Sequence, residues 1–190
     1  MQKVRLIFKG ISEIVEKQDV SLLILTDEEE ARQLTIICDR RTEYEFERRI
    51  GGTENTSTQL PEAMCAVFPE LRRGMYEIII TSVHAGKYQT MICNKVDLSA
   101  SPIDAASGIL LALVAGMDIY IDRKLLERQS VPHNPMGGGM PIPVNVLSDE
   151  MLQQALDKAV ADENYELASV LRDEQDSRVA REKRSQKGTK

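Results

Sequence analysis

The sequence has few of the residues on which metal and disulfide chemistry depend. Its three cysteines are Cys38, Cys65 and Cys93, and its two histidines are His84 and His133. No C-x-x-C pair is present, so neither a zinc cage nor a disulfide framework is indicated. Because each cysteine lies in an apolar stretch, we interpret all three as reduced core residues of a cytosolic protein. Two histidines leave little room for histidine-based metal binding or for a catalytic triad.

The chain also lacks a segment that indicates a membrane span or a secretory leader. A membrane helix needs about 18 or more consecutive apolar residues, and the longest apolar run, 109–117, is far shorter. The first ten residues, MQKVRLIFKG, do not combine a basic start with an apolar stretch, so no signal peptide is visible. Since 42% of the residues are hydrophobic, a fully disordered chain is excluded. We therefore expect a globular cytoplasmic protein with no membrane partner.

The chain has more acidic than basic residues, and the two kinds are unevenly distributed along it. The formal net charge is −6, whereas the last thirteen residues contain six basic side chains and one acidic one, so the remainder carries −11. An acidic surface does not attract nucleic acid over its whole area. The candidates for nucleic-acid contact are therefore in the tail: Arg178, Arg181, Lys183 and Arg184. The alternative interpretation of the tail is a solvated, frayed end.

Hydrophobic periodicity predicts an α+β domain over residues 1–130. Alternating or strongly apolar stretches predict strands at 3–9, 20–26, 34–38, 75–83, 88–93 and 118–122. Helical spacing predicts helices at 41–50, from Leu60-Pro61, from Ser101 to Gly116, and at 123–128. The strands come in runs with helices inserted, which differs from regular β-α-β repetition. We therefore expect a mixed or antiparallel sheet packed with a central apolar helix.

The clearest local motif is Ser101-Pro102-Ile103-Asp104. A serine at the N-cap, a proline at the first helical position and an acid at the third form a nearly complete helix start. The sequence therefore predicts a helix that begins here and continues through AASGILLALVA to Gly116. That stretch is apolar on most sides, which predicts burial in the centre of the domain.

The composition changes after residue 130. Four prolines and three consecutive glycines within 131–147 predict a linker. Residues 148–178 then contain two short amphipathic stretches separated by Asp162-Glu163-Asn164, which predicts an antiparallel helical hairpin. Residues 179–190 form the basic tail. A hairpin of about 30 residues buries little surface by itself, so we expect it to need a partner.

The predicted hairpin resembles the UVR motif, which subunits of the bacterial excision nuclease share with some chaperone and kinase-adaptor proteins. The similarity lies in Tyr165-Glu166, Leu171-Arg172-Asp173 and the apolar residues around them. In that family the hairpin docks onto another hairpin or onto a partner protein. The resemblance therefore implies these partner-binding residues: Leu152, Leu156, Tyr165, Ala168, Leu171 and Arg172. The alternative is an ordinary C-terminal hairpin packed on its own domain.

Residues 1–130 resemble the bacterial bifunctional nuclease family. The segments that carry the similarity are KVRLIFKGIS, LTIIC followed by Glu43, and SASPIDAASGILLAL followed by DIYID. The resemblance implies a compact α+β fold, DNase and RNase activity, and a homo-oligomer such as a dimer. The sequence departs from the family pattern where Ser99 replaces an Asp and Ser101 an Arg, and the Thr-His-Asp segment expected near Thr58 lacks its His and Asp.

These departures remove the most obvious groups for phosphodiester cleavage, which needs charge stabilisation and a base. The remaining candidates are Asp104, Asp97 and Glu62, which could ligate Mg²⁺ or Mn²⁺ if the fold brings them together. Each also has a structural interpretation. Asp104 would close a capping box with Ser101, Asp97 would end a strand or turn, and Glu62 would favour a helix start.

Two functions from different classes are therefore open. The first is a nuclease-like domain that acts on DNA or RNA and is recruited to a protein partner by the hairpin. The second is a catalytically inactive, oligomeric binding or adaptor protein whose hairpin docks onto a partner. The separation of Asp104, Asp97 and Glu62 in the fold distinguishes a shared metal site from three separate structural carboxylates.

Overall fold

The computed structural model describes residues 2–13, 20–52, 54–72, 74–84, 86–133, 149–165, 168–169, 171–176 and 178–179. They form two compact units: a body up to residue 133, apart from residues 86–87, and a helical pair from residue 149 onwards. The predicted linker lies mostly outside the described residues, as do Arg181, Lys183 and Arg184 of the tail. No helix in the described part of the chain is long and apolar enough to cross a membrane.

The body has runs of strands with helices inserted between them along the chain. Its strands are β1 (Lys3–Glu13), β2 (Val20–Asp27), β3 (Arg32–Asp39), β4 (Tyr76–His84), β5 (Lys87–Asn94), β6 (Ala100–Ile103), β7 (Asp118–Asp122) and β8 (Val131–Pro132). Its helices are α1 (Arg40–Ile50), α2 (Leu60–Val67), α3 (Ala105–Ala115) and α4 (Arg123–Gln129), with a 3₁₀ turn at Pro69–Arg72. The predicted α+β class is confirmed.

All eight strands form one mixed sheet in the order β6-β5-β4-β7-β1-β2-β3-β8. β4 and β7 are parallel, whereas β1 pairs antiparallel with both β2 and β7. β2 and β3 form an antiparallel hairpin with a register from Val20↔Asp39 to Thr26↔Gln33. The short strand β8 pairs with β3 at Arg32↔Pro132, so the sheet extends two residues into the predicted linker. His133 also belongs to this edge, because its Nδ1 lies 2.9 Å from Oε1 of Gln33.

The main apolar core lies on the face of the sheet that α1 and α3 cover, where Phe46 meets Phe8 and Gly108 approaches Ile78. Alternate strand residues on this face are buried: Leu6, Leu23, Leu25, Leu34, Ile78, Ile80, Ile119 and Ile121. Helix α3 approaches the sheet closely at Gly108, where an added Cβ would lie 3.2 Å from Cγ2 of Ile103 and 3.4 Å from Cγ2 of Ile78. A side chain here would therefore need its neighbours, first of all Ile103, to shift by a few tenths of an ångström. The predicted central helix is buried over most of its length.

The start of α3 differs from the prediction. Ser101 and Pro102 lie in strand β6, and the helix begins three residues later, with Asp104 at the N-cap. The prediction was wrong because Asp104 and Ser107 form an alternative cap within the same stretch. Proline is also tolerated in an edge strand such as β6.

The second unit is a pair of helices. α5 spans Asp149–Ala161, and α6 is described at 165, 168–169, 171–176 and 178–179. The chain leaves α5 where Glu163 takes a positive φ of 55° and Asn164 N donates to Ala159 O. The predicted helical hairpin is thereby confirmed.

Candidate functional site

The structure places Asp97 and Asp104 at opposite ends of β6. Asp97 precedes the strand and Asp104 follows it. A four-residue strand is about 13 Å long, whereas two ligands of one divalent ion each lie within about 2.5 Å of it. The two carboxylates therefore do not share a metal ion. Across the described residues, no group of three or more His, Cys, Asp or Glu side chains is arranged to hold a metal.

Glu62 is bound to an arginine on both oxygens. Nε of Arg49 donates to Oε1 at 2.8 Å and Nη2 donates to Oε2 at 2.8 Å, which is the bidentate geometry of a strong charge-assisted pair. Burial by itself would raise the pKa of Glu62. The hydrogen bonds from Arg49, from Thr56 and from its own backbone N–H, together with the charge of Arg49, outweigh burial, so the pKa lies below its ordinary value. The pair joins α1 to α2. Glu62 therefore holds two helices together in this structure.

Asp97 closes the turn between β5 and β6. Its Oδ1 accepts from the backbone N of Ser99 at 2.8 Å and from the Ser99 hydroxyl at 2.7 Å. These hydrogen bonds hold the pKa of Asp97 below its ordinary value. Leu98, between them, has a positive φ of 61°. The carboxylate is exposed and its contacts are those of a turn residue.

Asp104 has a different environment, at the beginning of α3. Its Oδ2 accepts from the backbone N of Ser107 at 3.0 Å and from the Ser107 hydroxyl at 3.1 Å. The side chain is exposed. A carboxylate at this position also interacts favourably with the positive end of the helix dipole. Its structural role as a cap is therefore confirmed, although its partner is Ser107 and not Ser101.

Asp104 shares one neighbour with two carboxylates that the sequence did not group with it, because Asp39, Glu43 and Asp104 all act on the thiol of Cys38. α1 and α3 both pack against β3. The last two residues of β3 are Cys38 and Asp39. Burial raises the pKa of the Cys38 thiol to about 12, and the charges of Glu43, Asp39 and Asp104 add to that effect. We call Asp39, Glu43 and Asp104 the acidic corner. It lies where α1 and α3 begin.

Glu43 is the buried member of the acidic corner. It occupies the first turn of α1 and is 7% exposed. Its Oε1 has no hydrogen-bond partner among the described residues, which is costly for a buried polar atom. Sequence reasoning noted Glu43 only as part of the nuclease resemblance. The helix around it, RTEYEFERRI, is rich in charged residues, and such a stretch does not indicate which carboxylate is buried.

The apolar residues predicted to bind a partner form the core of the hairpin itself. Leu152, Leu156 and Leu171 are buried together with Ala159, and Ala168 packs against them. Tyr165 and Arg172 are exposed. Within the described hairpin, exposed apolar surface comes from Tyr165, Val160 and Val179. In the described hairpin the leucines therefore keep the helices together, and Tyr165, Val160 and Val179 remain as exposed apolar side chains.

Arg178, predicted to belong to a nucleic-acid-binding tail, lies inside the hairpin. Its Nη1 is 2.7 Å from Oδ1 of Asp149 and its Nε is 3.0 Å from Oε1 of Glu174. The residue is only 7% exposed. Its guanidinium thus links the end of α6 to the beginning of α5. The predicted contacts Arg181, Lys183 and Arg184 lie outside the described residues.

Comparison with known protein families agrees with both resemblances. A family model described as the bifunctional nuclease domain matches residues 23–134, which extend from β2 past β8. A second, described as the UvrB/UvrC motif, matches residues 150–177 within the helical hairpin. No curated protein sequence matches the chain.

Proposed function

Because this chain belongs to the bifunctional nuclease domain family, we propose that its body is a nuclease-like domain acting on nucleic-acid phosphodiesters. We propose further that the hairpin brings this body to a protein partner. The observation that carries the first part is the family match over 23–134, which contains α3 and its N-cap Asp104. The UvrB/UvrC motif supports the second part.

Asp104 is the residue to which we assign the chemistry first. Its contacts in the described part of the chain are hydrogen bonds from Ser107, whereas Glu62 is bound to Arg49. An exposed carboxylate can accept a proton from an attacking water. The resulting hydroxide would attack phosphorus, the bond to the leaving oxygen would break, and that oxygen would take a proton from solvent. Because the described side chains do not form a metal cluster, no step is assigned to a metal ion.

The test is a cleavage assay on single- and double-stranded DNA and RNA, with Mg²⁺, with Mn²⁺ and with a chelator. The informative variant is Asp104→Asn, because asparagine caps a helix about as well as aspartate. Asp122→Asn is the matched control, since Asp122 caps α4 through Lys124 N and Leu125 N and is no catalytic candidate. We expect Asp104→Asn to cleave about 100-fold more slowly and Asp122→Asn to cleave at the wild-type rate.

Two results would overturn this assignment. Wild-type protein that cleaves none of the four substrates under any condition removes the nuclease function. Cleavage by Asp104→Asn at the wild-type rate removes Asp104 from the chemistry. Thermal unfolding midpoints of both variants, measured alongside, establish that the caps are intact.

A catalytically inactive adaptor is the second candidate, and one observation favours it. Glu62, Asp97 and Asp104 all make structural contacts, with Arg49, Ser99 and Ser107. An adaptor would depend on the exposed surface around Tyr165. Tyr165→Lys should then abolish binding to a partner captured by wild-type protein, with the leucine core of the hairpin intact. Unchanged binding by this variant, measured by titration with the purified partner, contradicts the adaptor surface.

A further inference from the structure

Two carboxylates of the described body are buried, and they differ in what neutralises them. Glu77 is 8% exposed and forms an ion pair with Lys3. Glu43 is 7% exposed, and its Oε1 has no hydrogen-bond partner among the described residues. Buried charged groups in proteins are normally paired with an opposite charge or coordinate a metal ion. The unpartnered oxygen of Glu43 therefore calls for a cation beside it.

Glu43 is the inner member of the acidic corner. It occupies the first turn of α1, and α1 and α3 pack against each other and against β3. Among the three carboxylates that act on the buried thiol of Cys38, Glu43 has the strongest effect. Asp39 and Asp104 are exposed. The corner thus has one buried carboxylate and two that face solvent, so a hydrated ion can enter it.

Two of the three carboxylates have an oxygen available for that cation. Asp39 is already engaged, because its Oδ1 accepts from the backbone N of Thr42 at 2.8 Å. Hydrogen bonds from Thr42, together with the charge of Arg41, hold the pKa of Asp39 below its ordinary value. Asp104 accepts both of its hydrogen bonds from the first turn of α3 on Oδ2. In the described part of the chain, the oxygens left for a ligand are Oε1 of Glu43 and Oδ1 of Asp104.

We propose that the acidic corner binds a hydrated Mg²⁺ ion through Glu43 and Asp104. Zn²⁺ sites use about three or four protein ligands, and Ca²⁺ takes about six to eight oxygen atoms. Mg²⁺ instead keeps several water molecules and is held by one or two carboxylates. Across the described residues, no group of three or more ligating side chains is arranged to hold a metal. A site with two carboxylates therefore fits Mg²⁺ best.

The ion lies in the region to which we assign the cleavage. At Mg²⁺ sites of this kind, phosphate oxygens of a substrate complete the coordination, so the inference extends the proposed function by naming its metal. The binding of the ion does not itself rest on that function, because water molecules fill the same positions when no substrate is present. Binding is therefore tested without nucleic acid.

The experiment is a titration of the full chain with Mn²⁺, which accepts the same oxygen ligands, measured by electron paramagnetic resonance of the free ion with Mg²⁺ as competitor. The test variant is Glu43→Gln. The matched control is Glu77→Gln, because the two residues are equally buried and each change removes one negative charge. We expect wild type and Glu77→Gln to bind one Mn²⁺ that Mg²⁺ displaces. Glu43→Gln should bind it at least about tenfold more weakly, and so should Asp104→Asn, which retains its cap.

Wild-type protein that binds no Mn²⁺ up to about 5 mM overturns the proposal. Equal affinities of Glu43→Gln and Glu77→Gln overturn it too, because the ion is then held by the general negative charge of the surface. Circular dichroism of each variant verifies the fold. If Glu43→Gln does not fold, Asp104→Asn decides, and wild-type affinity in that variant overturns the two-carboxylate site.

The outcome is distinguishable from that of the nuclease assay. Protein that binds Mn²⁺ through Glu43 but cleaves no nucleic acid contradicts the proposed function and leaves the metal site intact. Protein that cleaves nucleic acid but binds no Mn²⁺ contradicts the metal site alone.

Discussion

The body and the hairpin differ in what holds them together. The body buries apolar side chains from most of its strands and from its four helices. The described hairpin has a core of three leucines and one alanine, with the Arg178 ion pairs at its open end. A buried leucine contributes about 1.5–3 kcal/mol, against a backbone entropy cost of about 1–2 kcal/mol for every ordered residue. The hairpin is therefore marginal, while the body has a core of ordinary size.

This difference assigns different tasks to the two units. A chemical site needs side chains held rigidly by packing, and the body supplies such positions at the beginnings of α1 and α3. A marginal hairpin gains stability from whatever binds its folded form. Its structure and its partner binding are then coupled, as expected for a recruiting element.

The largest effect is expected from Phe46→Ala in the body. Phe46 is fully buried on α1, and its ring centroid lies 5.2 Å from that of Phe8. Truncating a buried phenylalanine costs about 3–5 kcal/mol, measurable by urea unfolding. Tyr44→Ala is the matched control, because Tyr44 lies on the same helix and is 49% exposed. Its cost should stay below about 1 kcal/mol, and similar costs for both variants would contradict a core beneath α1.

Leu171→Ala should unfold the hairpin but not the body. Leu171 is 1% exposed within the leucine core, and its truncation costs about 2–5 kcal/mol. We expect that loss to exceed the stability of the hairpin. Hydrogen exchange should then show unprotected amides across 149–179 and unchanged protection in β1, β2 and β7. Loss of protection in those strands as well would mean that the two units are not independent.

A smaller effect, with a pH signature, is expected from Glu62→Gln. The pKa of Glu62 lies below its ordinary 4.5, so the folded state binds this proton less readily than the unfolded state. The stability that this difference contributes is present above about pH 4.5 and is lost as the pH falls through the lower folded value. Glu62→Gln should cost about 1–3 kcal/mol at pH 7 and flatten the loss below pH 4.5.

Glu28→Gln is the control for this prediction. Glu28 pairs with Arg5 at 3.0 Å, but both side chains are about half exposed, and such surface pairs contribute about 0–1 kcal/mol. Urea unfolding from pH 3 to pH 7 compares the two variants. Equal slopes for Glu62→Gln and wild type below pH 4.5 would show that the pair with Arg49 does not govern acid stability.

The strands and the class of the fold could be predicted because they depend on local alternation. Sites that depend on distant partners could not. Arg178 was assigned to the tail from its basic neighbours, yet its partner Asp149 lies 29 residues earlier in the chain. Glu43 belongs to a charged helix, and only the packing of α1 on the sheet buries it. The sequence allowed Asp104 to be selected as a catalytic candidate. It did not show that Asp104 belongs to the acidic corner.

The smallest predicted effect concerns the cap of α3. Two caps fit the stretch from Ser101 to Ser107, one with Ser101 at the N-cap and one with Asp104, and the structure has the second. Removing a capping side chain costs about 1 kcal/mol. Asp104→Ala should therefore lower the unfolding free energy by about 1 kcal/mol, whereas Ser101→Ala, in an exposed edge strand, should change it by less than about 0.5 kcal/mol.

Asp104→Asn separates the cap from the charge, because asparagine retains the hydrogen bond from Ser107 N. Its unfolding free energy should lie close to that of wild type while its cleavage rate falls. If Ser101→Ala destabilises the protein more than Asp104→Ala does, the helix begins at Ser101 after all. In that case Asp104 would lie in the first turn of α3, and the acidic corner would need a different geometry. A stability measurement on three variants thus tests the position of the residue on which the proposed chemistry depends.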